Sequence, residues 1–304
     1  KENRMKSIKF KKVNAFADAD SSGNPAGCFY LKKENKLSAE EMLKIAGKLK
    51  GYVSEAIFIS ASNKNGIDFN LKYFSSECEV EFCGHGTIAI MYDTIKSNAN
   101  LLDKKFFKIT TVRADLTVYN EIKSHNSVFI TAPEPEYLSI NSEKKDIAKA
   151  LNIDKNNIDS SMKTDFINAG LNTLIVPINS LKNCVETNPD FMTLQNFTRN
   201  NGIDIVLIFS NETYLAESNY RTRVFAPKYG YLEDPATGSG NSAFGYYLLK
   251  CGMDMPEGAI LNIEQGNTLD RANKVKLKVE QIDNKKRILF GGGAIVEIEG
   301  NYYL

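Results

Sequence analysis

The feature that most constrains this chain is an internal repeat of two small-residue turns, each opening into an apolar helix. In the first, Val80-Glu81-Phe82-Cys83-Gly84-His85-Gly86-Thr87 runs into Ile88–Lys96. In the second, Leu232-Glu233-Asp234-Pro235-Ala236-Thr237-Gly238-Ser239-Gly240-Asn241 runs into Ser242–Lys250. The two align without a gap, so that Cys83 falls on Thr237, Gly84 on Gly238 and Gly86 on Gly240. Both helices are apolar on most faces, with Ile88, Ala89, Ile90, Met91 and Ile95 in one and Ala243, Phe244, Tyr246, Tyr247 and Leu248 in the other. A helix apolar all round must be buried, here inside a curled sheet.

Strand and helix signals repeat around these turns. Gly27–Leu31 and Asn172–Val176 read as strands, each followed by a helix. The first helix, Leu37–Leu49, opens with Ser38 and has Glu41 three residues on, a capping box; the second starts near Pro189 and ends at Arg199. Strands follow at Glu55–Ser60 and Asp68–Phe74, and again at Ile203–Phe209 and Arg221–Phe225. Phe107–Val118, Ser127–Thr131, Lys274–Glu280 and Ile288–Ile298 alternate or are rich in β-branched residues and read as further strands. The expected fold is α+β: two similar lobes, each a curled mixed β-sheet or barrel around a central apolar helix. The N-terminal lobe is expected over 5–125, completed by strand 288–304. Residues 126–135, with Pro133 and Pro135, form a crossover strand and linker, and the C-terminal lobe takes 136–287.

Composition narrows the partners. The 304 residues hold 38 Lys plus Arg against 37 Asp plus Glu, so no net charge favours nucleic acid or an anionic membrane. No apolar run reaches 18 residues, and the basic start, Lys1–Phe10, lacks the apolar stretch of a secretory signal. Residues 1–4 read as additions ahead of a native start at Met5. The five cysteines form no Cys-x-x-Cys pair, which excludes an all-disulfide framework and makes a reducing cytoplasm the simple reading. With His85 and His125 as the two histidines, the ligand spacing of a structural zinc is absent, and neither metal nor cofactor is expected.

A buried helix N-terminus leaves up to four backbone N–H groups in need of partners, and its dipole favours an anion. Glycines there let a ligand approach the backbone. Two such ends facing each other would make an anion cradle from Gly84, Gly86, Thr87, Gly238, Ser239 and Gly240. An acid such as Asp234 beside an anion site needs a task, and proton transfer is one.

At these residues the chain resembles the PhzF (phenazine biosynthesis-like) family, within the wider diaminopimelate epimerase fold. Four stretches carry the resemblance: Val13-Asn14-Ala15-Phe16 with Ser22-Gly23-Asn24-Pro25-Ala26-Gly27; Ser54-Glu55-Ala56; Phe74 through Glu79–Thr87; and Phe225-Ala226-Pro227 with Glu233–Gly240. Phe290-Gly291-Gly292 adds a tail match. The resemblance implies two lobes with a site between them. It also implies a proton-shifting isomerase that needs no metal or organic cofactor, and suggests a homodimer. It assigns catalysis to Glu55, His85 and Asp234, and substrate contacts to Asn24 and Ser239 beside the glycine turns. The substrate class is a small carboxylate; a phenazine product is not implied. Burial is expected to raise the pKa of Glu55 towards neutrality.

Three departures qualify this. Thr237 stands where the related epimerases carry a second cysteine, and a hydroxyl is too weak an acid to replace a thiol. A thiol-dependent racemase is therefore disfavoured, and Cys83 reads as a packed small residue. Gly86 and Gly240 stand where the family often has alanine, and Asn241 where histidine is frequent. The alternative function is a non-catalytic small-molecule binder using the same residues.

Overall fold

The computed structural model describes residues 7–304, so the reading of Met5 as a native start lies outside the described residues. The fold is α+β, and its contacts divide the chain into two compact units. One runs to Ile130 and takes back Gly291–Leu304; the other is Thr131–Phe290.

The first unit contains β1 (Ser7–Ala15), β2 (Asn24–Tyr30), α1 (Ala39–Lys48), β3 (Glu55–Ala61), β4 (Phe69–Phe74), β5 (Glu79–Val80), α2 (Gly84–Lys96), β6 (Phe106–Thr110), β7 (Asp115–Glu121), α3 (Ile122–His125) and most of β8 (Ser127–Thr131). The second contains β9 (Glu136–Leu138), α4 (Lys144–Leu151), β10 (Asp165–Asn168), β11 (Asn172–Pro177), α5 (Leu181–Glu186), α6 (Phe191–Asn200), β12 (Ile205–Ser210), β13 (Tyr220–Phe225), β14 (Glu233–Asp234), α7 (Gly238–Lys250), β15 (Ile260–Gln265), β16 (Asn273–Ile282) and most of β17 (Lys285–Gly292). The last strand, β18 (Ala294–Tyr303), returns to the first unit and pairs antiparallel with β1.

The repeat in the sequence is a repeat in topology. In the first unit β1/β2 is antiparallel, β2/β3 parallel, β3/β4 antiparallel, β4/β6 parallel and β6/β7 antiparallel. The second unit reproduces the order with β10/β11, β11/β12, β12/β13, β13/β15 and β15/β16. In both, a two-residue strand hairpins back just before the turn: β5 on β4 and β14 on β13. Each parallel pair needs a long crossover: α1 lies in that of β2/β3 and α2 in that of β4/β6, α5 with α6 in that of β11/β12 and α7 in that of β13/β15.

Helix α2 packs on β1, β2, β3 and β18, and α7 on β10, β11, β12 and β16. Both are buried around almost their whole circumference, as their composition demands. The other face of each sheet carries a second apolar layer. In the first unit Met42, Ile45 and Ala46 of α1 cover Phe29, Phe58 and Phe74. In the second, Ile147 and Leu151 of α4 and Leu194 of α6 cover Leu174, Val206 and Phe225. Buried charges are paired: Lys11 meets Asp93 of α2 at 2.8 Å, and Arg221 meets Glu264 at 2.8 Å with both side chains fully enclosed. The capping box of α1 is present, Ser38 Oγ accepting from the Glu41 N–H and Glu41 Oε2 from the Ser38 N–H.

Two sequence expectations are corrected and one helix is added. Phe107–Val118 is not one strand but the hairpin β6–β7. Its turn contains neither glycine nor proline and is held by Thr111, whose N–H and hydroxyl both donate to the Ala114 carbonyl. Ile288–Ile298 is likewise two strands broken at Gly293, whose carbonyl accepts from the Phe16 N–H at 2.8 Å. Helix α4 was not foreseen because its apolar stripe, Ile147, Ala148, Ala150 and Leu151, spans little more than one turn.

Candidate active site

The first turn gathers three chemically active side chains. Cys83 is the N-cap of α2, and its Sγ accepts from the Gly86 N–H at 3.4 Å. His85, two residues on, lies with Nδ1 3.4 Å from that sulfur. Glu55, the first residue of β3, brings Oε2 to 3.2 Å from His85 Nε2. The contact is an ion pair; the N–H is not aimed well enough at Oε2 to count as a formed hydrogen bond, and Oε2 is buried without another partner.

The electrostatics differ from expectation. Burial does push the Glu55 carboxyl up, but the positive charge and close N–H of His85, with the Cys83 thiol, outweigh it and hold Glu55 below its ordinary value. Burial alone would push His85 down; the negative charge at Cys83 and Glu55 reverses this and holds the imidazole well above its ordinary value. The Cys83 thiol is itself pushed up, by burial first, against the pull of His85. Glu55 is thus held down rather than raised, so the expected elevation of Glu55 is overturned by its neighbour.

The turn's backbone is partly spoken for. The Thr87 N–H donates to the Cys83 carbonyl at 3.0 Å, while the Thr87 hydroxyl contacts that carbonyl and Tyr73 Oη, all buried. Gly86 is small for a packing reason, since a Cβ there would lie 2.6 Å from Ile57 Cγ1. Asn24 is buried and its Oδ1 accepts from the Ser54 hydroxyl at 3.1 Å, next to Glu55 in the chain.

The second turn holds a different set. Thr237 is the N-cap of α7, but its side chain does not cap; the hydroxyl donates to Asp234 Oδ2. Gln265, fully buried at the end of β15, ties the turn together. Its Oε1 accepts from the Thr237 N–H at 3.0 Å and from Asn241 Nδ2 at 2.7 Å, and its Nε2 donates to the Asp234 carbonyl at 2.9 Å. Gly238 is forced by Phe290, whose ring would lie 2.5 Å from a Cβ; Gly240 packs on Ile205 in the same way at 3.2 Å. Ser239 is half-buried.

The structure thus brings Glu55 and His85 together and adds Cys83, which sequence reasoning set aside as packing. The signal was there: a cysteine two residues before a histidine at a helix start. Gln265 had no signal, because an isolated glutamine in a strand carries no pattern.

Fold and cluster define a class: an α+β protein of duplicated topology, with titratable groups at the start of a buried helix. The chain belongs to the phenazine biosynthesis-like (PhzC-PhzF) family, whose family model matches residues 13–300. It is 27% identical over 300 residues to an uncharacterized isomerase of Clostridium acetobutylicum, covering 96% of this chain and 97% of that one. It is 26% identical over 296 residues to trans-2,3-dihydro-3-hydroxyanthranilate isomerase of Pseudomonas fluorescens, covering 93% and 98%. The crystal structure of the PhzF-family phenazine biosynthesis protein of Bacillus anthracis superposes with a TM-score of 0.84 at 26% identity, over 99% of this chain and 100% of that one. Among the described residues, no helix is long and apolar enough to cross a membrane.

Proposed function

We propose that this isomerase moves a proton within a small carboxylate-bearing substrate, with Glu55 as general base and His85 as general acid. Isomerisation is the activity in the names of its relatives, and the Pseudomonas relative is named for an anthranilate-type acid. The observation that carries the residue assignment is the Glu55–His85 contact at 3.2 Å. It keeps a base ionised and an acid protonated at the same pH, the condition for one group to take a proton while the other gives one.

Glu55 would remove a proton from a carbon made acidic by an adjacent unsaturated or carbonyl group, leaving an electron-rich framework. His85 would return a proton elsewhere on that framework, and Glu55 would then recharge it. Every proton taken is returned, so the step needs neither metal nor redox cofactor. The partial positive charge at the start of α2 favours a substrate anion there. Asp234 and Ser239, on the α7 turn, are proposed as the second polar set, Asp234 catalytic and Ser239 binding. A thiol racemase is not supported, because Thr237 occupies the counterpart of Cys83 and its hydroxyl is committed to Asp234.

The test uses trans-2,3-dihydro-3-hydroxyanthranilate and a panel of small unsaturated carboxylates in deuterated water. Wild type should incorporate solvent deuterium into at least one of them. Glu55→Gln, which keeps shape and loses the base, should slow incorporation by about 10²–10⁴-fold. Near-full incorporation by Glu55→Gln would remove Glu55 from this role.

A further inference from the structure

Among the described residues, Glu55, Cys83 and His85 form the one group of three metal-ligating side chains whose donor atoms all lie within 4.8 Å of one another. We propose that this cluster is also a binding site for a soft divalent cation of the zinc class, and that occupancy shuts off the proton-transfer pair.

The distances fit. A tetrahedral zinc with bonds of ~2.3 Å to sulfur and ~2.0–2.1 Å to nitrogen and oxygen sets its ligands ~3.5 Å (S to N) and ~3.3 Å (N to O) apart. Here His85 Nε2 is 4.0 Å from Cys83 Sγ and 3.2 Å from Glu55 Oε2. All three donor atoms lie within 4.8 Å of one another, so side-chain adjustment of about an ångström brings them onto one ion. The donor types suit zinc: one sulfur, one imidazole and one carboxylate leave a fourth position open. Glu55 Oε2 is buried with its contact to His85 Nε2 at 3.2 Å and no well-formed hydrogen bond, so a metal held by both atoms replaces that one contact.

A helix N-terminus disfavours a cation, but coordination by the Cys83 thiolate and the Glu55 carboxylate sets two negative charges against the dication. Binding releases the Cys83 thiol proton, and any proton on the coordinating His85 nitrogen, to solvent.

Metal binding follows from ligand geometry alone; its effect on turnover rests on the assignment of Glu55 and His85 to proton transfer. The test titrates cobalt(II), as a spectroscopic stand-in, into chelator-treated full-length protein under reducing conditions, with zinc as competitor. Wild type should bind one ion per chain and show a thiolate-to-cobalt charge-transfer band that zinc abolishes. Cys83→Ser should lose the band. Cys83→Ser and His85→Gln should each weaken zinc binding by at least about tenfold, the loss that even an outer-shell partner causes. Thermal melts check that the variants fold, and His85→Gln keeps the test open if Cys83→Ser does not. Absence of the band in wild type, or its survival in Cys83→Ser, overturns the site. In the deuterium assay zinc should block incorporation and a chelator restore it. If zinc binds at Cys83 but incorporation is unaffected, the claim that occupancy stops proton transfer falls while the metal site stands. If Glu55→Gln stops incorporation but wild type binds no metal, the reverse holds.

Discussion

The starts of α2 and α7 occupy equivalent places in two units of the same topology, yet they carry different side chains. Both are reached from a two-residue strand, both open on a small-residue turn, and both lead into a 13-residue buried helix. At the first, the capping atom is a sulfur that also touches an imidazole, and a carboxylate from β3 completes a set of titratable groups. At the second, the capping position holds a hydroxyl turned towards Asp234, and a buried amide, Gln265, satisfies the turn. A duplicated backbone solves the same burial problem twice. In one copy the capping side chain, Cys83, belongs to a set of titratable groups. In the other, Thr237, Asn241 and Gln265 bond to one another and to Asp234 and hold the turn.

The sharpest way to break this comparison is Gln265→Leu. It removes the amide that accepts from the buried Thr237 N–H and Asn241 Nδ2 and donates to the Asp234 carbonyl, and should destabilise the protein by about 3 kcal/mol or more in denaturant unfolding. A loss under about 1 kcal/mol would mean the second turn does not depend on its amide. Next are the glycines. Ala at Gly238 meets the Phe290 ring at 2.5 Å, and Ala at Gly86 meets Ile57 at 2.6 Å and 2.7 Å. Each should cost about 1–3 kcal/mol as overpacking, with Gly238→Ala the worse because a ring yields less than an isoleucine arm. Equal stability of Gly86→Ala and wild type would show that Ile57 moves freely.

The smallest effect separates the turns by pH, in chelator-treated protein. Glu55 is depressed from an ordinary 4.5, so its contribution is present above that value and lost as pH falls through its folded pKa. His85 is raised from an ordinary 6.5, so its contribution is complete below that value and lost as pH rises through its folded pKa. Stability owed to the pair is therefore greatest between about 4.5 and 6.5 and declines on the alkaline side. Melting temperature against pH should show that decline in wild type and in Ser239→Ala, and lose it in His85→Gln. An unchanged slope in His85→Gln would remove the ion pair as its source.

Much of the fold was legible because its signals are local. Ser38 and Glu41 are three residues apart, so the start of α1 can be read directly. The alternation in β16 and the all-round apolarity of α2 and α7 announce a strand and two buried helices. The β6–β7 turn escaped because a threonine side chain did the work usually left to glycine or proline. In the cluster, Cys83 and His85 share one helix turn and could be linked by spacing. Glu55 was singled out by resemblance, since nothing in a strand-opening glutamate distinguishes it from a surface residue.

What the sequence determined alone was periodic or short-range: the paired turns, two buried helices and strands enough for an α+β fold. What the tertiary structure decided was which groups meet, and in which direction each shifts the other's pKa. Glu55 reaches His85 because β3 is set beside β2 at one end of α2, a pairing between distant segments that no local pattern encodes. The direction of its pKa followed from that meeting, because burial and a neighbouring charge act oppositely on a carboxyl and only the distance between the groups decides which wins.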